Sequence, residues 1–229
     1  MSSAPVPYDG IKTVPLTRDV YDYVLAQSEP PTEVQRRLAA KTRALGPLAV
    51  MQVPHEQAVL LTLLARLVDA RRIVEVGTFT GYSTLALAAG LAPGGTVITC
   101  DISAEWTSAA REAWKEAAVD HLIDQRLGPG LDTITALPSD CDLDLVFLDA
   151  DKPNYRAYWD QLVPRVRPGG LLLADNVLYQ GQAHRADATG TALAVSEFNA
   201  HVRADPRVES LVLPIADGLT LARKRSPAA

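Results

Sequence analysis

Hydrophobic positions follow two rhythms along the chain, and the change falls near residue 72. Before it, apolar residues recur at helical spacing. Thr17 to Ser28 predicts a helix, with Thr17 placed to cap it ahead of Asp19. Pro30-Pro31-Thr32 interrupts the pattern, and Glu33 to Leu45 predicts a second helix that stops at Gly46-Pro47. Pro54 opens a third, whose stripe of Val59, Leu60, Leu63, Leu64, Leu67 and Val68 marks one buried face. Residues 1–16, punctuated by Pro5, Pro7 and Pro15, predict an irregular arm.

After residue 72, short continuous apolar runs alternate with helical stretches. The runs are Ile73–Val76, Val97–Cys100, Leu143–Leu148 and Leu171–Ala174, with helices predicted at about 81–91, 103–118 and 154–166. Unbroken apolar strands separated by helices indicate a parallel sheet covered on both faces. The last two runs, Glu209–Pro214 and Leu219–Arg223, are joined only by Ile215-Ala216-Asp217-Gly218, which predicts a hairpin and an antiparallel strand at one edge. The fold expected is α/β: a Rossmann-like doubly wound sheet, mostly parallel with an antiparallel C-terminal strand, plus N-terminal helices. Residues 1–229 are expected to form a single domain, with the arm and helices of 1–50 covering the active site.

Composition narrows the class. The chain has 229 residues, 48% hydrophobic, with 22 Lys+Arg against 27 Asp+Glu for a net charge of −5. That is enough apolar content for a substantial core and too much for a disordered chain. The acidic balance argues against a nucleic-acid binder. No apolar run reaches the roughly 20 residues a membrane span needs, and MSSAPVPYDG has no signal-peptide pattern. Cys100 and Cys141 are too few for a disulfide framework and are expected to be buried thiols in a reduced, cytoplasmic setting. His55, His121, His184 and His201 lack metal-ligand spacing.

In such a sheet, ligands bind at the carboxyl ends of the strands. The first run leads into Glu75-Val76-Gly77-Thr78-Phe79-Thr80-Gly81-Tyr82-Ser83, where two glycines permit a tight turn close to a ligand. The second ends at Asp101, placed to accept hydrogen bonds from ribose hydroxyls. A dinucleotide fingerprint would want a third glycine where Tyr82 stands, and Glu75 would repel a phosphate. A ribose-bearing ligand without phosphates fits better.

The next two strand ends carry Asp149-Ala150-Asp151-Lys152 and Asp175-Asn176. Adjacent strands lie about 5 Å apart, so Asp149, Asp175 and Asn176 can converge into an all-oxygen site for magnesium, calcium or manganese. Either aspartate alone would more readily be a helix cap than a ligand. The pairing of both ends, with Lys152 beside one, favours a metal.

The stretches VEVGTFTGYSTLALA, DLVFLDADKPNY, ADN and LPIADGLTLARKR resemble the cation-dependent class I O-methyltransferases, the caffeoyl-CoA and catechol type, especially the bacterial small-molecule branch. The resemblance runs from about Leu16 to Arg225. It implies S-adenosylmethionine (SAM) as methyl donor, held by Glu75, Gly77, Thr78 and Ser83, with Asp101 on the ribose and Ile102 on the adenine. It also implies that the Gly128-Pro129-Gly130 loop borders the adenine, that Met51 and Val53 close over the donor, and that Asp149 touches both donor and metal. Asp149, Asp175 and Asn176 would ligate a divalent cation, Mg2+ before Ca2+ or Mn2+, and Lys152 would be the general base. Lys152, Asn176, Tyr179 and Gln180 would face the acceptor. A homodimer is implied as well.

The expected activity is SAM- and metal-dependent O-methylation of a vicinal diol, a catechol-type small molecule of bacterial secondary metabolism. A carrier-bound hydroxyacyl acceptor is an alternative within the class. An NAD-dependent oxidoreductase would share the fold but want the fuller glycine fingerprint, and a non-catalytic donor-binding module would not need Asp149, Lys152, Asp175 and Asn176 together. Relative to plant caffeoyl-CoA enzymes, Tyr179 and Gln180 replace a Trp-Asn pair, which points to a different acceptor. His55 and the 181–190 loop are candidates for acceptor choice, and Arg165 and Arg167 read as a solvated helix end.

Overall fold

The computed structural model describes residues 14–139 and 142–226, so Cys141 and most of the arm lie outside the described residues. The chain divides into two compact units, Met1–Pro30 and Pro31–Ala229. The first holds helix α1 (Arg18–Ala26), whose backbone Val20 N–H is accepted by the predicted cap Thr17.

The second unit opens with α2 (Glu33–Arg43), started by a reciprocal capping box between Thr32 and Gln35. A 3-10 turn over Gly46–Met51 leads to α3 (His55–Leu67). There follow β1 (Arg72–Val76), α4 (Tyr82–Gly90), β2 (Thr96–Asp101), α5 (Ala104–Glu116), β3 (Ile123–Leu127), α6 (Gly130–Thr135), β4 (Leu143–Leu148), α7 (Tyr155–Leu162), β5 (Val166–Asp175), α8 (Gly190–Ala204), β6 (Val208–Leu213) and β7 (Leu219–Lys224). The strands form one sheet in the order β3-β2-β1-β4-β5-β7-β6.

The first five strands pair in parallel, while β7 runs antiparallel to β5 and to β6. The antiparallel strand is therefore one in from the edge. Its hairpin partner β6 takes the edge, because the Ile215–Gly218 turn folds β7 back into the free side of β5. Side chains alternate between two cores, as strand geometry requires. Val74, Val76, Val146, Leu148, Leu172 and Ala174 pack under α6, α7 and α8, whereas Ile73, Leu145, Phe147, Leu171 and Leu173 pack under α3, α4 and α5.

Three details depart from expectation. Edge strand β3 reads Ile-Asp-Gln-Arg-Leu, too polar for an apolar-run search. Arg167 lies within β5 and bonds the Asp144 carboxylate, rather than standing on a solvated helix end. The stretch Gly46–Leu67 has a length of 22 residues and a hydropathy of 1.3, enough by length and composition to cross a membrane, against the reading that no run qualified. In the fold it is split: extended residues at Gln52 and Pro54 separate the 3-10 turn from α3, which packs Ala58, Leu61 and Ala65 into the core.

Candidate active site

A cavity of about 900 Å3 opens at the carboxyl ends of β1, β2, β4 and β5. The loop after β1 forms its floor. Gly77 has φ +100°, and a Cβ there would lie 2.2 Å from the Asp149 carbonyl oxygen, so only glycine lets β1 turn against the end of β4. Asp101 ties this loop to β2: its carboxylate accepts the backbone N–H groups of Thr78 at 3.1 Å, Phe79 at 2.8 Å and Ser103 at 2.8 Å. The carboxylate thus stands in place before any ribose hydroxyl arrives.

Met51, Val53, Gly77, Thr78, Ser83, Asp101, Ile102, Gly130 and Asp149 all line the cavity. Ile102 is 76% exposed, an apolar surface offered at the end of β2. Gly130 closes the wall, where a Cβ would meet Val76 at 2.6 Å and Tyr158 at 3.0 Å. Glu75 alone of the expected donor residues lies beneath the lining. It is fully buried, its Oε2 accepts the hydroxyls of Thr84 and Thr99 at 2.5 and 2.6 Å, and its Oε1 makes no hydrogen bond among the described residues. Burial pushes its carboxyl up to about 7, against the pull of the Ser83, Thr84 and Thr99 hydroxyls.

The second wall comes from β4 and β5. Leu148 pairs with Ala174, so Asp149 and Asp175 follow at neighbouring strand ends. Lys152 Nζ donates to Asp149 Oδ1 at 3.1 Å. Asp175 is 2% exposed; its Oδ2 accepts Gln57 Nε2 at 2.7 Å and its Oδ1 accepts the Asn176 backbone N–H at 2.7 Å. Burial, then the Asp149 charge, pushes the Asp175 carboxyl up to about 7, and burial also raises Asp149 against the opposing Lys152. A half-buried carboxylate that raises the cost of ionising its buried neighbour, the two served by one lysine, forms a donor set that a divalent cation would relieve. Asn176, also in the lining, could offer an amide oxygen as a third hard donor. Among the described residues, no group of three or more His, Cys, Asp or Glu gathers as a metal site, here or elsewhere, so this donor set consists of two carboxylates and an amide.

Of the expected acceptor residues, Lys152, Asn176 and Tyr179 line the cavity and Gln180 does not. Gln180 instead gives its backbone N–H to Asp217 Oδ1 at 2.6 Å, and Asp217 is itself a lining residue. Asn176, Tyr179, Gln180 and Ala216 all have positive φ, so this corner concentrates backbone strain beside the carboxylates. His55 stands behind the lining, with Nδ1 3.0 Å from the hydroxyl of lining residue Tyr82. In the 181–190 loop, Arg185 pairs with Asp187 at the surface.

Sequence reasoning missed the aromatic wall of Phe79 and Trp106, whose rings meet edge-to-face at 5.1 Å, and Tyr158, which donates to Asp151 at 2.5 Å. It missed Gln57 and Tyr155, which buttress the acidic end. A glutamine on the apolar face of α3 was the available signal for the first.

The O-methyltransferase family profile matches residues 26–225. The chain is 37% identical over 214 residues to catechol O-methyltransferase domain-containing protein 1 of Mus musculus, covering 92% of this chain and 81% of that protein. It is 34% identical to caffeoyl-CoA O-methyltransferase 2 of Zea mays, covering 94% and 86%. In structure it is similar to the O-methyltransferase TomG of Streptomyces achromogenes, involved in tomaymycin synthesis and solved in complex with SAM. There the TM-score is 0.83 and the identity 31%, with 91% of this chain and 96% of that one covered.

Proposed function

Because the chain belongs to the O-methyltransferase family and is a SAM-dependent enzyme of the caffeoyl-CoA and catechol type, we propose that it methylates one hydroxyl of a vicinal diol, with a divalent cation held by Asp149, Asp175 and Asn176. The observation that carries this reading is the meeting of Asp149, Lys152 and Asp175 at adjacent strand ends on the cavity wall.

The chain's own residues divide the work. Gly77, Thr78 and Ser83 would border the methionine end of the donor, Asp101 its ribose, and Ile102 and Gly130 its adenine, with Met51 and Val53 opposite. Glu75 supports this floor from below. Asp149, Asp175 and Asn176 would hold a divalent cation, whose charge would favour the ionised form of a diol oxygen, which matters because phenols titrate near 10. Lys152 accepts the proton that the attacking hydroxyl loses, and the walls hold oxygen, methyl carbon and sulfur in line. Among the described residues, Lys152 is the one Lys or Arg in the cavity lining, beside Asp101, Asp149, Asp151, Asp175 and Asp217. This favours an uncharged acceptor over a polyanionic thioester. A small, soluble acceptor from bacterial secondary metabolism is consistent with that.

The test is methyl transfer followed by mass spectrometry, using SAM with catechols, caffeoyl thioesters, carrier-bound hydroxyacids and single-hydroxyl phenols, each with magnesium and with a chelator. Methylation of the diols alone, abolished by the chelator, is the expected result. Equal turnover of single-hydroxyl phenols in chelator would overturn it.

A further inference from the structure

Tyr155 opens α7 directly below the acidic wall, and it is wholly buried. Its hydroxyl accepts from Lys152 Nζ at 2.7 Å. The same hydroxyl lies 3.0 Å from the Leu148 carbonyl and 3.2 Å from the Asp175 carbonyl, the last residues of β4 and β5. One phenol therefore touches the lysine and both strand ends from which Asp149, Asp175 and Asn176 project. Its ring packs edge-to-face on Phe198 at 5.2 Å, and Lys152 Nζ stands 4.8 Å from its centroid.

Counting bonds at Lys152 shows what this contact does. To take a proton, Lys152 must act as a free amine, which has two N–H donors and one lone pair. Asp149 Oδ1 takes one donor and Tyr155 Oη takes the other. With Cε in the third direction, the fourth tetrahedral position is left for the lone pair, on a side chain that lines the cavity. Without Tyr155 Oη, one N–H would be free and the amine could rotate about the Cδ–Cε and Cε–Nζ bonds, turning the lone pair away. The hydroxyl can play this part because its own single proton is committed to a strand-end carbonyl, so it meets the lysine only as an acceptor.

We propose that Tyr155 is a positioning residue that aims Lys152 at the acceptor hydroxyl. The proposal rests on the reading of Lys152 as the base. In the step concerned, the acceptor O–H bond breaks and its proton passes to Lys152 Nζ. The oxygen forms a bond to the methyl carbon, and the carbon–sulfur bond of the donor breaks with its electron pair leaving on sulfur, giving methyl ether, S-adenosylhomocysteine and a protonated lysine.

The test compares Tyr155→Phe and Lys152→Ala with the wild type in full-length enzyme with magnesium, using catechol and a nitro-substituted catechol that is already ionised at the assay pH. Tyr155→Phe keeps the ring and its packing. With catechol its kcat is expected to fall by about tenfold or more, with the KM for acceptor and the affinity for S-adenosylhomocysteine unchanged. With the nitro-catechol the loss is expected to shrink sharply, because no proton has to be removed. A damaged site would slow both acceptors alike, and that result, or no loss with catechol, would overturn the role of Tyr155. Lys152→Ala is expected to show the same pattern, more strongly. Full turnover of Lys152→Ala with catechol would instead remove the base itself, which separates failure of the underlying reading from failure of the positioning role.

Discussion

Gln57 Nε2 donates to Asp175 Oδ2 at 2.7 Å, joining the first turn of α3 to the end of β5, and both side chains are buried. The bond fixes one carboxylate oxygen while the Asn176 backbone N–H fixes the other. If Asp175 ligates the proposed cation, a partner one bond behind it usually carries about 10- to 100-fold in metal affinity. Gln57→Leu is therefore expected to weaken magnesium binding by about that factor, measured by calorimetric titration, while binding of S-adenosylhomocysteine is retained. Unchanged magnesium affinity would show that Asp175 needs no such anchor.

Glu75 gives a pH dependence of defined sign. Its carboxyl is raised in the fold to about 7 by burial. A raised acid favours the folded state while protonated, so stability falls as pH rises from the ordinary carboxylate range towards 7 and levels off above it. Glu75→Gln keeps the shape and the hydroxyl contacts but cannot ionise. Denaturant melts of this variant are expected to lose part of the decline between about pH 5 and pH 7. A decline identical to the wild type would mean that Glu75 ionises in the fold at no cost.

Asp205 predicts the opposite limb. Arg207 holds its carboxylate well below the usual range, with the Trp159 indole N–H donating at 2.9 Å. That stability is present above the unfolded value, near 4, and is lost as pH falls through the acid range. Asp205→Asn is expected to melt lower at pH 7 and to converge on the wild type in acid.

Two glycines with similar backbone angles should differ sharply. Gly94, with φ +77°, has open space around a would-be Cβ, so Gly94→Ala carries only the left-handed backbone penalty of about 1 kcal/mol. Gly77→Ala adds a collision with the Asp149 carbonyl and is expected to cost more than twice as much, about 2 kcal/mol or above, by chemical denaturation. It should also weaken binding of donor product and metal together, because the same carbonyl belongs to the acidic wall.

Much of this organisation is readable from residues. The parallel strands announce themselves because they are buried on both faces, as in Leu143–Leu148, where every position is buried. The site residues at strand ends follow from topology once those strands are placed. Strand β3 is half exposed and polar, so burial never wrote an apolar run into it. Position within the sheet was equally hidden: Asp217-Gly218 marks a turn, but only packing decides that β7 rather than β6 enters beside β5. Gln57 acts through a contact with a distant segment, 118 residues away at Asp175, and no local spacing encodes such a pair. Gln180 shows the reverse error, where a residue beside Tyr179 in sequence serves the loop through its backbone and stands outside the cavity lining.

The central claim is that the carboxylates at the ends of β4 and β5 hold a cation needed for methyl transfer. The most direct measurement is magnesium-dependent turnover of Asp175→Asn on catechol, alongside its affinity for S-adenosylhomocysteine. Turnover is expected to fall by about 100-fold or more, with the affinity for S-adenosylhomocysteine close to that of the wild type. Wild-type turnover by Asp175→Asn, in magnesium or in chelator, would contradict it.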